Sequence, residues 1–133
     1  MSKSSSNTVS PAEVIEKSGA DILRLWVASS DYSEDLKIGP EIIKSNIDSY
    51  RRLRNTLRFI LGNLSDFDQD EKVSVDELDE LDLYILSELE SLKKEVISNY
   101  KIFEYQKVFS AIFNFCTNDL SSFYFDVRKD TLY

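Results

Sequence analysis

A chain of 133 residues with 42% hydrophobic content is long enough to bury the core of one ordinary domain, and its apolar runs are too short to span a membrane. The absence of histidine excludes imidazole catalysis and histidine-ligated metals, and a single cysteine, Cys116, excludes an internal disulfide. The net charge is −8, yet segment 37–65 holds six basic and two acidic residues. This segment is the candidate for contact with a polyanion.

The N-terminal stretch predicts a loop followed by a short helix. The first ten residues, MSKSSSNTVS, are polar and show no periodicity. Ser10, Pro11 and Glu13 predict a helix start, because serine can cap, proline suits the first helical position, and the glutamate completes a capping box. Gly19 predicts the end of this helix in a left-handed cap.

A second helix is predicted from near Ala20 to the polar break that begins at Ser29. The longest predicted helix follows, from about Pro40 to Leu61, with Gly62 and Asn63 as its stop. Its apolar residues recur at three- and four-residue spacing and predict one buried stripe. The members of that stripe are Ile43, Ile47, Tyr50, Leu53, Leu57, Ile60, Leu61 and Leu64.

The basic residues of the longest helix fall on one flank of this stripe. At about 100° per residue, Lys44, Arg51, Arg54 and Arg58 align along the helix, whereas Arg52 points elsewhere. This flank predicts contacts with phosphates along a nucleic-acid stem. The alternative is that these cations are solvated or pair with the acidic third helix.

The C-terminal half predicts further helices. An acidic connection, 65–76, precedes a third helix of about 77–100, whose predicted core residues are Leu78, Leu81, Ile85, Leu89, Leu92 and Val96. A fourth helix starts near Glu104, with Val108, Phe109, Ile112, Phe113 and Cys116 predicted inward. Another apolar stretch follows Asn118 and Asp119. Strand patterns find almost no support, so the sequence predicts an all-α helical bundle.

Two further patterns invite a binding interpretation. Asp66, Asp68, Asp70, Lys72, Ser74 and Glu77 fall at the ligand spacings of a twelve-residue calcium loop. Glu71 occupies the position where such loops need glycine, so we predict an acidic linker with Ser74 and Glu77 as a capping box and no metal site. The aromatic residues Tyr100, Phe103 and Tyr105 can stack on bases, although the helical spacing of the aromatics in 103–125 favours core packing.

Three stretches of the chain resemble class I aminoacyl-tRNA synthetases, and among them the isoleucine enzymes. Met1–Ser4 resembles the KMSKS signature loop without its first lysine, and Val14–Trp26 follows at the usual distance as the junction between catalytic and tRNA-binding parts. Tyr50–Phe59 resembles the first long helix of the anticodon-binding bundle, and Asp119–Tyr133 resembles another segment of the family. The valine, leucine and methionine enzymes share this architecture and remain alternatives.

The resemblance implies roles for individual residues. Lys3 takes the position of the catalytic lysine that stabilises charge as pyrophosphate leaves ATP, and Ser2 and Ser4 join it in the ATP-binding loop. The basic flank of Lys44, Arg51, Arg54 and Arg58 would then bind phosphates along the anticodon stem of the tRNA, with Arg52 and Arg24 as further tRNA-binding candidates. The parent enzyme would use ATP with Mg²⁺ to join isoleucine to tRNA(Ile). Because the family's two-histidine signature and nucleotide-binding sheet are missing, we expect this chain alone to be catalytically inactive.

The predicted organisation has two parts. Residues 1–36 would form the signature loop and junction helices, and residues 37–133 the anticodon-binding bundle, with truncation expected at both ends. We expect a cytoplasmic monomer without membrane contact. The competing hypothesis from another class is a free-standing acidic helical module that binds protein partners.

Overall fold

The computed structural model describes residues 9–132, and all regular elements within them are helical. The α-helices are α1 (Pro11–Ser18), α2 (Ala20–Ser29), α3 (Pro40–Asn63), α4 (Glu80–Lys101), α5 (Tyr105–Asn114) and α6 (Phe125–Leu132). Two short 3₁₀ turns, Gln69–Glu71 and Val75–Glu77, precede α4, and a π-helix, Phe115–Tyr124, joins α5 to α6. The all-α prediction is confirmed. In this part of the chain, no helix is both long and apolar enough to cross a membrane.

The chain divides into two compact units, Met1–Arg51 and Arg52–Tyr133. In the first unit, Val14 of α1 and Ile22 of α2 are the buried apolar side chains. Asn46 of α3 is buried as well, and its amide is satisfied because it donates to the carbonyl of Ile42 at 2.9 Å and accepts from the Ser29 hydroxyl at 3.2 Å. The predicted functional boundary between residues 36 and 37 stays a prediction.

The ends of α1 follow the sequence prediction in position but not in every detail. Ser10 precedes α1 and Pro11 opens it, but the Ser10 side chain makes no capping hydrogen bond, so the predicted capping box with Glu13 does not form. Gly19 closes α1 and its N–H donates to the carbonyl of Ile15 at 2.9 Å. Its φ of 86° is positive as predicted, but its ψ of 159° is extended and lies outside the left-handed helical region.

The second unit is built on α4, α5, the π-helix and α6. Its buried apolar residues are Ile85 of α4, Val108 of α5, and Phe115 and Cys116 of the π-helix. Cys116 is the buried small hydrophobe that the sequence predicted, and desolvation raises the pKa of its thiol. Leu89 of α4, predicted to be in the core, is exposed instead.

The third predicted helix begins three residues later than expected. Asp79 caps α4, because its carboxylate accepts from the N–H of Asp82 at 3.0 Å. The predicted pair of Ser74 and Glu77 does form, since the Ser74 N–H donates to the Glu77 carboxylate at 2.9 Å, but it caps the 3₁₀ turn Val75–Glu77. Accepting hydrogen bonds from the backbone and hydroxyl of Ser74 lowers the pKa of Glu77.

Local hydrogen bonds also engage the carboxylates of the acidic linker. Asp68 accepts from the N–H of Asp70 at 3.2 Å, and Glu71 accepts from the N–H of Asp68 at 3.5 Å. These contacts belong to the 3₁₀ turn Gln69–Glu71, which has Asp68 as its cap. The linker is thus a series of two capped turns, and Glu71 contributes a capping group at the position where a calcium loop would need glycine.

Candidate nucleic-acid interface

The side chain of Thr56 fixes which face of α3 turns inward in the second unit. Thr56 is 3% exposed, and its hydroxyl lies 3.0 Å from the Ser121 hydroxyl and 3.4 Å from the carbonyl oxygen of Cys116. One turn further along, the rings of Phe59 and Phe125 are 4.6 Å apart. The inward face of this part of α3 is therefore centred near Thr56 and packs on the π-helix and α6.

Arg54 and Arg58 lie on the opposite face of α3. Each is two residues from Thr56, which at about 100° per residue places it about 200° around the helix. Both side chains are exposed, and the ion pairs found within residues 9–132 include neither of them. These two cations are consequently available to an anionic partner.

The other predicted basic residues differ in their local partners. Lys44 is exposed in the first unit and lines a small, mostly apolar cleft of about 320 Å³ together with Lys17. Arg51 pairs with Asp48 at 3.4 Å, and Arg24 with Asp21 at 3.1 Å. Both of these pairs are between exposed groups three residues apart, which contribute little to stability and exchange readily with another anion.

Arg52 is exposed and lies on another side of α3, as the helical period predicted. It is four residues before Thr56, and the Thr56 hydroxyl donates to its backbone carbonyl at 3.1 Å. The helix geometry therefore turns Arg52 about 160° from Arg54. One straight nucleic-acid stem would therefore not contact Arg52 and Arg54 equally well.

Polar groups beside Arg58 extend the candidate interface. Arg58 lines an open cleft of about 610 Å³, and the other lining residues are Asn55, Phe59, Gly62, Asn63, Ser65 and Asp66. The amide of Asn55 is of the kind that contacts phosphate and sugar oxygens, whereas the Asn63 amide already donates to the carbonyl of Phe59 at 2.9 Å. The sequence interpretation missed Asn55, although its position three residues before Arg58 was a usable signal.

The apolar stripe predicted for α3 is buried only in part. Leu57 is 58% exposed and Leu61 is 69% exposed, and Leu64 is exposed as well. The prediction that these three leucines belong to the core is wrong, because the helix packs about Thr56 and Phe59 and turns the leucines toward its arginine side. The candidate interface thus contains exposed apolar surface beside its cations.

A clamp of ionic and aromatic groups holds α6 against the start of α4. Arg128 donates to the carboxylates of Asp79 and Asp82, with 2.9 Å to Asp82, and the Tyr124 hydroxyl donates to Asp82 at 2.7 Å. The hydrogen bond from Arg128 lowers the pKa of Asp79, and the paired carboxylates raise the pKa of Arg128. Burial and the neighbouring Asp82 raise the pKa of Tyr124. The clamp is a structural support of the bundle.

The residues of the signature loop, Ser2, Lys3 and Ser4, lie outside the described residues. Their roles in ATP binding and catalysis remain predictions. Within the described residues, the basic side of α3 is the candidate functional surface.

Comparison with known proteins places both ends of this chain in one family. Residues 1–39 match the family model of class I tRNA synthetases for I, L, M and V, and residues 82–133 match the model of the anticodon-binding domain of tRNA ligases. Three relatives cover the whole chain and are named isoleucine–tRNA ligase. They are 54% identical in Ruegeria pomeroyi, 51% in Petrotoga mobilis and 46% in Pelagibacter ubique.

The chain belongs to the class I tRNA synthetases. Within that family, its sequence corresponds to one segment of the isoleucine–tRNA ligases, since the chain spans 14–15% of the length of these three relatives. The resemblance to the isoleucine enzymes is confirmed, and the three relatives favour it over the valine, leucine and methionine alternatives.

Proposed function

We propose that this chain docks the anticodon stem of an isoleucine tRNA, and that Arg54 and Arg58 of α3 make the central phosphate contacts. The observation that carries the proposal is that these two arginines are exposed on the face of α3 opposite Thr56 and form no ion pair within residues 9–132. The match of residues 82–133 to an anticodon-binding domain supports RNA as the partner. Guanidinium groups suit phosphates because their planar donors can bind two oxygens at once.

The remaining basic residues are proposed as further contacts. Lys44 and Arg51 belong to the first unit, and Arg51 would exchange its exposed contact with Asp48 for a phosphate. Arg52 would contact a neighbouring strand or a bent part of the RNA, because it lies on another side of the helix. Arg24 is the weakest candidate.

The activity of the parent enzyme is part of the same proposal. We propose ATP-dependent joining of isoleucine to tRNA(Ile), with Lys3 stabilising the charge that develops on the phosphates and with Ser2 and Ser4 as hydrogen-bond donors. Mg²⁺ would accompany ATP, and no residue of this chain is proposed to hold it. A cytoplasmic monomer is proposed, and the chain alone is proposed to be inactive because it has no histidine.

Charge reversal on α3 tests the docking proposal. The 133-residue chain is titrated with an isoleucine tRNA transcript at low salt, and the double variant Arg54→Glu, Arg58→Glu is compared with it. We expect affinity to fall on the order of 100-fold or more, because two charge-assisted hydrogen bonds are removed and two carboxylates face phosphates.

The matched control is Lys93→Glu, Lys94→Glu on α4, which changes the net charge by the same amount at exposed positions. We expect the control to weaken binding by no more than about threefold, since only the general field changes. Circular dichroism checks that each variant is folded. Equal losses of affinity in the two variants, or no binding by a well-folded chain, would refute docking through α3.

A further inference from the structure

A small cleft in the first unit lies between α1 and the start of α3. Its volume is about 320 Å³. Small-molecule sites occupy about 300–1,000 Å³, so the cleft is large enough for a ligand at the lower end of this range. Each wall is one face of a helix, because its residues recur at three- and four-residue spacing. These residues are Glu13, Val14 and Lys17 on α1, and Ile43, Lys44 and Ile47 on α3.

The apolar part of the lining is formed by Val14, Ile43 and Ile47. Val14 is 5% exposed, and the two isoleucines are half-buried. Water in contact with such side chains finds few hydrogen-bond partners, so an apolar group that displaces it binds favourably. This part of the cleft therefore suits the hydrocarbon body of a ligand.

The cations of the lining come from both walls, Lys17 from α1 and Lys44 from α3. Both side chains are exposed, and the ion pairs found in the described part of the chain include neither lysine. Two lysines against the one carboxylate of Glu13 leave a formal charge of +1 in the lining. The cleft therefore favours an anionic group over a cationic one.

The start of α3 supports this preference for an anion. Gly39 and Pro40 line the cleft, and Pro40 opens a helix of 24 residues. The N–H of Ile43 donates to the carbonyl of Gly39 at 3.0 Å, so the helix has no carbonyl to offer to the N–H groups before Ile43. A helix start carries partial positive charge, although Glu41 in the first turn offsets part of it. The helix start thus adds to the effect of the two lysines.

The combination of cations and apolar lining restricts the class of ligand. A phosphate would bind the lysines but would leave the apolar lining uncovered. An uncharged hydrocarbon would cover that lining but would leave both cations without a partner. A carboxylic acid with a short apolar body uses both parts, because ammonium groups donate charge-assisted hydrogen bonds to a carboxylate.

We propose that the cleft between α1 and α3 is a binding site for small carboxylic acids with an apolar body. Lys17 and Lys44 hold the carboxylate, and the body packs on Val14, Ile43 and Ile47. The inference goes beyond the docking of RNA, and it is tested without RNA.

The test compares three probes that share one hydrocarbon chain and differ in their head group. Hexanoate, hexanol and hexylamine are titrated into the 133-residue chain, with the methyl groups of valine and isoleucine observed by NMR. We expect hexanoate to bind most tightly, with a dissociation constant on the order of 1 mM, and hexylamine least tightly. The largest shifts should occur at Val14, Ile43 and Ile47, whereas the buried Ile85 and Val108 of the second unit should not respond.

Acetate tests the role of the apolar lining. It has the same carboxylate as hexanoate but lacks four methylene groups. We expect acetate to bind at least about tenfold more weakly, because each buried methylene contributes to affinity. Equal affinities of acetate and hexanoate would mean that the lysines adsorb any anion, which overturns the proposed site.

The role of the lysines is tested with the double variant Lys17→Gln, Lys44→Gln. We expect this variant to bind hexanoate about 3- to 30-fold more weakly and to bind hexanol within about twofold of the unaltered chain. The matched control is Lys93→Gln, Lys94→Gln on α4, which removes the same charge at exposed positions outside the cleft. It should bind both probes within about twofold of the unaltered chain. Circular dichroism checks that each variant is folded.

Three further outcomes would overturn the proposal. Hexanol that binds as tightly as hexanoate would show that the lysines have no role. Shifts centred outside the cleft, or equal weakening by the two double variants, would place the carboxylate elsewhere. A folded chain that binds no hexanoate would have no such site. None of these results bears on the docking of RNA through Arg54 and Arg58.

Discussion

Gly19 adopts a backbone conformation that favours glycine over the other residue types. Its φ of 86° with ψ of 159° belongs to a region that is essentially restricted to glycine, and it allows α1 to end and α2 to begin with no residue between them except Gly19. A Cβ at this position would meet nothing within 4 Å. If a side chain at this position lowers the stability of the fold, the loss must therefore come from the strained backbone conformation and not from a steric clash.

We predict that Gly19→Ala destabilises the chain by about 1–3 kcal/mol, because alanine is strained at this φ and ψ. Urea unfolding followed by circular dichroism measures the change. Gly39→Ala is the matched control, since Gly39 also has open space around its Cβ position but no positive φ. The control should destabilise the chain less than Gly19→Ala, because only the preference for glycine over alanine before a helix applies at this position. Equal destabilisation by the two substitutions would contradict the backbone explanation.

Among the elements, the contact between α6 and the start of α4 depends on charge. Arg128 bridges Asp79 and Asp82, and Tyr124 donates to the same Asp82 carboxylate. The pKa of Asp79 lies below its ordinary value of 3.8, chiefly through the hydrogen bond from Arg128. Its stabilising contribution is therefore fully present above pH 3.8 and disappears as pH falls through the lower folded-state pKa.

We predict that Asp79→Asn lowers the urea midpoint at pH 7 and that its difference from the unaltered chain shrinks as pH falls well below 3.8. Protonation removes the same charge that the substitution removes, so the two chains converge. Asp130→Asn, an exposed carboxylate on α6 outside this clamp, controls for the removal of one negative charge. A difference that stays constant from pH 7 to pH 3 would show that the charge of Asp79 is not what matters.

How far the elements could be predicted depends on the kind of signal each residue carries. Pro11, Gly19 and Pro40 act locally, and the helix ends that they predict are found at those residues. Asp79 acts locally too, but the capping pattern of Ser74 and Glu77 competed with it and moved the predicted start of α4 upstream. Both capping patterns occur in the structure. Ser74 and Glu77 cap the 3₁₀ turn Val75–Glu77, and Asp79 caps α4.

Burial was harder to predict, since it depends on partners distant in sequence. Leu57 and Leu61 have the right spacing for a core face, but the neighbouring Thr56 meets Ser121 and Cys116 and sets the orientation of α3. Nothing local to α3 reveals that contact. The arginine flank could be predicted, because four cations on one side of a helix require only the helical period.

For the molecule as a whole, the net charge of −8 and a polyanionic partner are compatible only if cations are concentrated locally. Segment 37–65 provides that concentration, whereas segment 66–95 holds twelve acidic and three basic residues. The acidic segment should repel RNA and restrict it to the basic side. Binding should therefore be confined to few phosphates, and its salt dependence should correspond to that small number.

We predict that the logarithm of tRNA affinity falls linearly with the logarithm of salt concentration, and that Arg54→Ala with Arg58→Ala reduces the slope by about two, one for each phosphate that these arginines bind. Titrations across a range of potassium chloride concentrations measure both slopes. Lys93→Ala with Lys94→Ala should leave the slope nearly unchanged. An unchanged slope in the arginine variant would mean that these side chains touch no phosphate.

The π-helix, Phe115–Tyr124, sets a limit on insertions and deletions in this part of the chain. It contains Cys116 and Ser121, which pack on Thr56, and it continues into α6 with the clamp residue Arg128, so one continuous helical run makes both sets of contacts. Deletion of one residue would turn everything after it by about 100°. Arg128 would then face away from Asp82. Relatives of this segment should therefore accommodate changes in length in their linkers rather than between Asn114 and Arg128.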